Sequence, residues 1–377
     1  MSKGVRALVG ASMAALGLAA CGAQAPMPPA PAGAAAAERQ ARAFVEAMAP
    51  RHGGRPVVAV LALNEGTETT DFLLPHAVLQ RAGVAEVAAV APRPGWVRLM
   101  PALEVEVTQD LEGFDREHPA GADYVIVPAM HADDDPVVTG WLRRQAAHGA
   151  RIIGICSGAL VLGRAGLLDG RRFAGHWYDR GTLLERHPGA EHVPHQRYVV
   201  DRDVATTTGI TASVPTSLAL VEAIGGRATA AALAAELGAP SWTPAHDSTP
   251  FRLTAGRMWH YVLDKAAFWR HERWRVDVRD GIDDIALALA VDAWSRTGRV
   301  GVEAVSPSGP VRLRSGLRLA ASAGGEGRTP LPLSPSLKPL QQLDRTLCEI
   351  AGRYGPTQRD RVMLEMEYPS AATTCAH

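Results

Sequence analysis

The chain of 377 residues carries 39 Lys+Arg against 39 Asp+Glu, a formal net charge of zero, and 47% of it is hydrophobic. That length fits one large domain or two ordinary ones around a globular core. The charge balance argues against a protein built to grip phosphate backbones, so no nucleic-acid partner is expected. Four cysteines, Cys21, Cys156, Cys348 and Cys375, are too few for a disulfide scaffold.

Lys3 and Arg6 precede an apolar stretch over 7–20. It is too short to cross a bilayer as a stable helix but has the length of a signal-peptide core. It ends in Leu18-Ala19-Ala20-Cys21-Gly22, which resembles the lipobox of bacterial lipoproteins. That resemblance implies lipidation of Cys21, an anchor in the membrane and an address in the bacterial envelope. Because Gly22 is not Asp, the periplasmic face of the outer membrane is expected. Residues 23–37 are rich in Pro and Ala without apolar periodicity and read as a tether, so 1–21 is taken as leader and 22–54 as tether plus leading helix.

The run 57–63 is continuously apolar, as in a strand buried on both faces. A polar loop follows over 64–70, then helical spacing over 71–81 that stops at Gly83. Strands are predicted at 87–90, 103–107, 124–127 and 151–155, with a helix over 135–148. Strands alternating with helices predict an α/β fold, a flavodoxin-like doubly wound parallel sheet over 55–225, with its site at the carboxyl ends of the strands.

At that edge Cys156 falls between a buried strand and a helix beginning near Gly158, with Gly154 and Gly158 allowing a tight turn. This matches the strand–nucleophile–helix geometry that lifts a side chain above a sheet. The helix N-terminus behind the sulfur is expected to lower its pKa, and the N–H of Ser157 to face a developing oxyanion. A buried structural cysteine is the alternative.

The segments Ile153-Gly154-Ile155-Cys156-Ser157-Gly158-Ala159, 165–172, His176-Trp177 and Thr207-Thr208-Gly209-Ile210-Thr211-Ala212, with a helix over 217–224, together resemble the ThiJ/PfpI family. That family belongs to the class I glutamine amidotransferase-like superfamily. The likeness is to the branch holding isonitrile hydratases and the N-terminal domains of AraC-type regulators. It implies Cys156 as nucleophile, Asp71 as the acid contacting it and His176 as base or proton shuttle. Glu68 is the rival acid, and a helix N-cap is the plain structural role for Asp71. Many members have a Pro-Gly-Gly-like loop that supplies a second oxyanion donor. Here the loop reads Pro128-Ala129-Met130-His131, so Ala129 or Met130 must supply it and His131 is expected at the pocket. Ser157 replaces the His of PfpI proteases, and no glutaminase pair follows Cys156. Proteolysis and glutamine hydrolysis are therefore not expected.

Beyond residue 225 no helix-turn-helix pattern stands out. Residues 83–92 instead resemble 298–307 without a gap, Val97-Arg98-Leu99 matches Val311-Arg312-Leu313, Leu103 matches Leu317, and 284–296 repeats the helical pattern of 71–81. The extension over 226–370, ahead of a tail at 371–377, is thus read as a degenerate partial copy of a helix-strand-strand unit lacking a counterpart of Cys156. Chance similarity is the alternative. Since the family commonly dimerises, either a homodimer or an intrachain pseudo-dimer is expected. Trp242, Trp259, Trp269 and Trp274 read as core packing or a pocket wall, and His246, His260 and His271 lack metal-ligand spacing. Loop is predicted over 323–335, with helices over 339–354 and 358–367. Cys348 and Cys375 either pair or remain two free thiols. No metal and no cofactor are called for. The function expected is Cys156-dependent addition of water to a small electrophile such as an isonitrile or reactive aldehyde. The alternative is a non-catalytic small-ligand-binding or oxidation-sensing module.

Overall fold

The computed structural model describes residues 33–252, 272–369 and 375. The leader with Cys21, and Trp259, His260, Trp269 and His271, lie outside the described residues. In the first half the elements run α1 (Ala34–Ala47), β1 (Val57–Leu61), β2 (Thr67–Glu68), α2 (Thr69–Ala82), β3 (Glu86–Ala91), β4 (Gly95–Met100), β5 (Glu104–Val107), β6 (Gln109–Asp110), α3 (Leu111–Glu117), β7 (Tyr124–Val127), α4 (Pro136–Ala147), β8 (Arg151–Gly154) and α5 (Gly158–Arg164). Then follow β9 (Arg172–Phe173), α6 (Arg180–Arg186), β10 (Glu191–His192), β11 (Tyr198–Asp201), β12 (Val204–Thr207), α7 (Ser213–Gly225) and α8 (Arg227–Leu237).

Seven strands form one sheet in the order β11-β12-β8-β7-β1-β3-β6, parallel except for the β11–β12 pair. Helices cover both faces, and the pleat sorts side chains between them. Val58 and Val60 of β1 join the core under α2 and α7, while Ala59 and Leu61 join the core under α4 and α5. This is the doubly wound α/β architecture expected from the sequence. The helix predicted over 135–148 is α4, and Asp135 is its N-cap, the carboxylate accepting from Val137 N (2.9 Å) and Val138 N (3.0 Å). The polar loop over 64–70 differs from expectation. It contains β2, which pairs with the unpredicted strand β4, and α2 starts two residues early with Glu68 rather than Asp71 as its N-cap. The side chains of β4 alternate in burial, but the exposed face carries Trp96, so the apolar–polar alternation that reveals a strand is lost in the sequence.

The C-terminal part runs β13 (Glu272–Asp277), α9 (Asp284–Arg296), β14 (Val300–Val305), β15 (Val311–Arg312), β16 (Arg318–Leu319), β17 (Thr329–Pro330), α10 (Pro339–Tyr354) and α11 (Pro356–Met366). It holds more of the first unit than the sequence pattern indicated. β13, read as part of an aromatic cluster, pairs in parallel with β14 as β1 does with β3. Trp274 packs on Trp294 at 4.5 Å between ring centroids, an interior role rather than a pocket wall. β16 pairs antiparallel with β5, so the two hairpins share a sheet, and α9 lies along α2.

The join between α2 and α9 is reciprocal. The displacement that carries Gly83 to Gly298 also carries Glu68 to Asp283 and Arg81 to Arg296. Glu68 and Asp283 are the N-caps of α2 and α9. Arg81 pairs with Asp283 (2.9 Å) and Asp284 (2.7 Å), and Arg296 pairs with Glu68 (2.7 Å). Such isologous contacts are the mark of a two-fold interface, here within one chain. Cys348 on α10 and Cys375 are disulfide-bonded, which settles the two readings left open for them.

Candidate active site

The strand β8, buried throughout, delivers Cys156 to the carboxyl edge of the sheet. Cys156 has φ +52°, a conformation that costs a non-glycine residue about 1–3 kcal/mol and that a surrounding structure must impose. Its N–H donates to Thr207 Oγ1 (3.0 Å), which ties the elbow to β12. Gly158 makes the turn sterically feasible, because a Cβ there would sit 2.1 Å from the carbonyl oxygen of Val127. The thiol lies 3.9 Å from Ser157 Oγ, and that hydroxyl donates to the Asp179 carboxylate. Cys156 is only 6% exposed.

Two carboxyls stand over this edge. Glu68, as cap of α2, accepts from Asp71 N (2.6 Å) and Thr70 Oγ1 (2.8 Å) and meets the Arg296 guanidinium. Because Glu68 takes the cap, the Asp71 side chain is released from that role. Asp71 Oδ2 accepts from Ala129 N (3.2 Å), while its Oδ1 is buried without a hydrogen-bond partner. Burial raises the Asp71 carboxyl to about 7, against the pull of the Ala129 N–H and Arg296. Burial, then repulsion from Asp71 and Asp292, also pushes Glu68 well up. Such a pair titrates jointly. Glu68 is surrounded by donors and Asp71 Oδ1 has none, so Asp71 is the better placed to carry the proton near neutrality.

The electrostatics at sulfur overturn one expectation. Burial, followed by the charges of Asp71, Asp179 and Glu68, raises the thiol well above its ordinary value, with Arg296 opposing. The α5 helix of seven residues does not outweigh three acids and desolvation.

The other predicted residues are placed as follows. Ala129 N–H is engaged by Asp71 and its carbonyl accepts from Glu68 N (2.8 Å), so Ala129 supports the acids rather than offering an oxyanion donor. Met130 is half-buried and bridges to Thr67. His131 is exposed, not in the pocket, because the 2.9 Å bond from its N–H to Gly66 O turns the loop outward. His176 is buried, its Nε2 3.2 Å from Glu365 O, and among the described residues no hydrogen bond joins it to the thiol. It sits instead beside Gly209 and Glu367, under the end of α11. Trp177 Nε1 donates to Leu364 O (2.8 Å) and Thr211 Oγ1 to Glu367 O (2.8 Å), fastening that helix to the rim of the site. Asp179, Asp292 and Arg296 carry no expectation in the sequence, and Thr207 enters there only as part of the family-like segment 207–212. For Arg296 the signal was present, as the counterpart of Arg81 in the repeat.

An α/β domain with a strained cysteine elbow beneath a protonatable carboxyl defines the class: a cysteine-centred site on a flavodoxin-like sheet. Residues 57–223 match the model of the DJ-1/PfpI family. The chain is 36% identical over 98 residues to the isonitrile hydratase of Pseudomonas putida, covering 26% of this chain and 41% of that protein. It is 36% identical over 86 residues to the HTH-type transcriptional regulator CdhR of Pseudomonas aeruginosa, covering 23% and 25%. The chain therefore spans well under half the length of these relatives. Among solved structures, a ThiJ/PfpI family protein from Pseudomonas syringae aligns over 57% of this chain and 87% of its own, at 22% identity and a TM-score of 0.48.

Proposed function

We propose that Cys156 adds to a small carbon electrophile and that water completes the conversion, as in hydration of an isonitrile. The observation carrying this reading is the strained elbow at Cys156 together with the buried, protonatable Asp71 carboxyl beside it. In the scheme, the sulfur bonds to the terminal isonitrile carbon, Asp71 delivers its proton to that same carbon and takes up the proton of the thiol, and the product is a thioimidate, R–N=CH–S–Cys156. Water then adds to that carbon, and the C–S bond breaks to release the formamide and return the thiol. Cys156→Ser should lower turnover of an isonitrile and aldehyde panel at least about 10³-fold; comparable turnover by the serine variant would end the proposal. The raised thiol favours a second reading, a non-catalytic small-molecule binder like the sensor part of a regulator. Saturable binding of panel compounds without consumption, unchanged in Cys156→Ser, would select it.

The same reading places the protein at the bacterial envelope, held by lipid on Cys21. Leu18 to Gly22, the Pro/Ala tether and the Cys348–Cys375 bond support this. Labelling by radioactive palmitate that is lost in Cys21→Ser tests it. In this reading the C-terminal half-copy takes the place of a partner subunit, supported by the reciprocal Arg81 and Arg296 pairs.

A further inference from the structure

The half-copy does more than cover α2. Arg296, at the last turn of α9, reaches across the join to Glu68 (2.7 Å) and is fixed on its own helix by Asp292 (2.8 Å) and on α11 by Glu365 (3.8 Å). Its symmetry counterpart Arg81 pairs with two acids, Asp283 and Asp284, across the same join. The chemistry around the two differs. At the position matching Asp71 the half-copy has Ala286, and it has no counterpart of Cys156. One arginine thus faces a bare joint, while the other faces the acids over a thiol. Asp292 Oδ1 and Asp71 Oδ1 are both buried without hydrogen-bond partners, so the guanidinium is the cation this acidic cluster is built around.

We propose that Arg296 is a positioning residue for the Cys156 site: by holding the Glu68 carboxylate at the cap of α2, it leaves Asp71 free to face the sulfur and offsets the negative field there. The inference rests on Cys156 being the reacting group, but not on which substrate it takes. The charged groups facing Arg296 are Glu68 from α2, Asp292 from its own helix and Glu365 from α11, the last also bound by Arg361 at 3.3 Å. Those acting on Cys156 are Asp71, Asp179, Glu68 and Arg296.

The test measures iodoacetamide alkylation of the Cys156 peptide by mass spectrometry across pH, on the full chain. Arg296→Gln should raise the pH midpoint by about one unit, making alkylation ~10-fold slower at a fixed pH below it. Arg81→Gln, which breaks the matching pair away from the thiol, should leave the midpoint in place. Asp292→Asn keeps the guanidinium and removes a competing charge, so it should lower the midpoint, and it serves if Arg296→Gln does not fold. An unchanged midpoint in Arg296→Gln, an equal shift in Arg81→Gln, or an unchanged or raised midpoint in Asp292→Asn overturns the proposal. Its failure is separable from that of the catalytic reading, because alkylation needs no turnover and wild-type turnover needs no variant.

Discussion

Asp71 is the residue on which the chemistry and the stability of this domain pull in opposite directions. Its carboxyl is fully buried and raised to about 7 from the ordinary carboxylate value. A carboxyl raised on folding stabilises the fold at low pH, and that contribution is lost as pH climbs from about 4 through about 7. Asn has nearly the same shape and can accept the Ala129 N–H equally well. Asp71→Asn should therefore be more stable than wild type at pH 8, by about 2–4 kcal/mol, and nearly equal at pH 4. Urea unfolding at the two pH values checks this, and equal stability gaps at both would refute it. The same variant should lose turnover, since an amide has no proton to give. Function retained at the expense of stability is the usual pattern for a buried acid in a site.

At the scale of elements, the β8–α5 elbow depends on a close backbone approach. Gly158 lies against the Val127 carbonyl, so the end of β7 and the start of α5 touch backbone to backbone. Gly158→Ala must push these two elements apart, costing about 1–3 kcal/mol or more and moving Cys156 away from Thr207 and Asp71. Thermal melting should show the lower stability, and turnover should fall with it; a variant of wild-type stability would mean that the turn relaxes easily. The elbow was visible in the sequence because strand, cysteine and glycine are contiguous. The α2 cap was not, because Glu68 and Asp71 are both plausible caps by local pattern. Pairing of β2 with β4 and the Arg296 ion pair decide between them through contacts distant in the chain.

At the scale of the whole molecule, a half-copy packed on its parent domain satisfies the α2 face and the edge of β5 from within the chain. A covered edge strand is protected from pairing with another copy. If the half-copy stands in for a partner subunit, the purified protein should be a monomer. Light scattering after size-exclusion chromatography should give the mass of one chain, and a stable dimer across α2 would exclude that role. α11 meets His176 and Trp177 through the carbonyls of Glu365 and Leu364, and the disulfide ties Cys375 to α10.

From its sequence alone this chain determines the alternating strands and helices and the placement of Cys156 at a strand end, and it displays the pattern of a second, weaker copy of one unit. All three follow from contiguous residues, through hydrophobic period, glycine placement and local repetition. Only the tertiary structure decides the ionisation of the site, because charge depends on burial and on neighbours brought from afar. The acids that raise the thiol and the arginine that opposes them come from α2, the loop before α6, and α9, separated by more than a hundred residues. It is the reciprocal packing of α2 on α9 that brings Arg296 and Glu68 together.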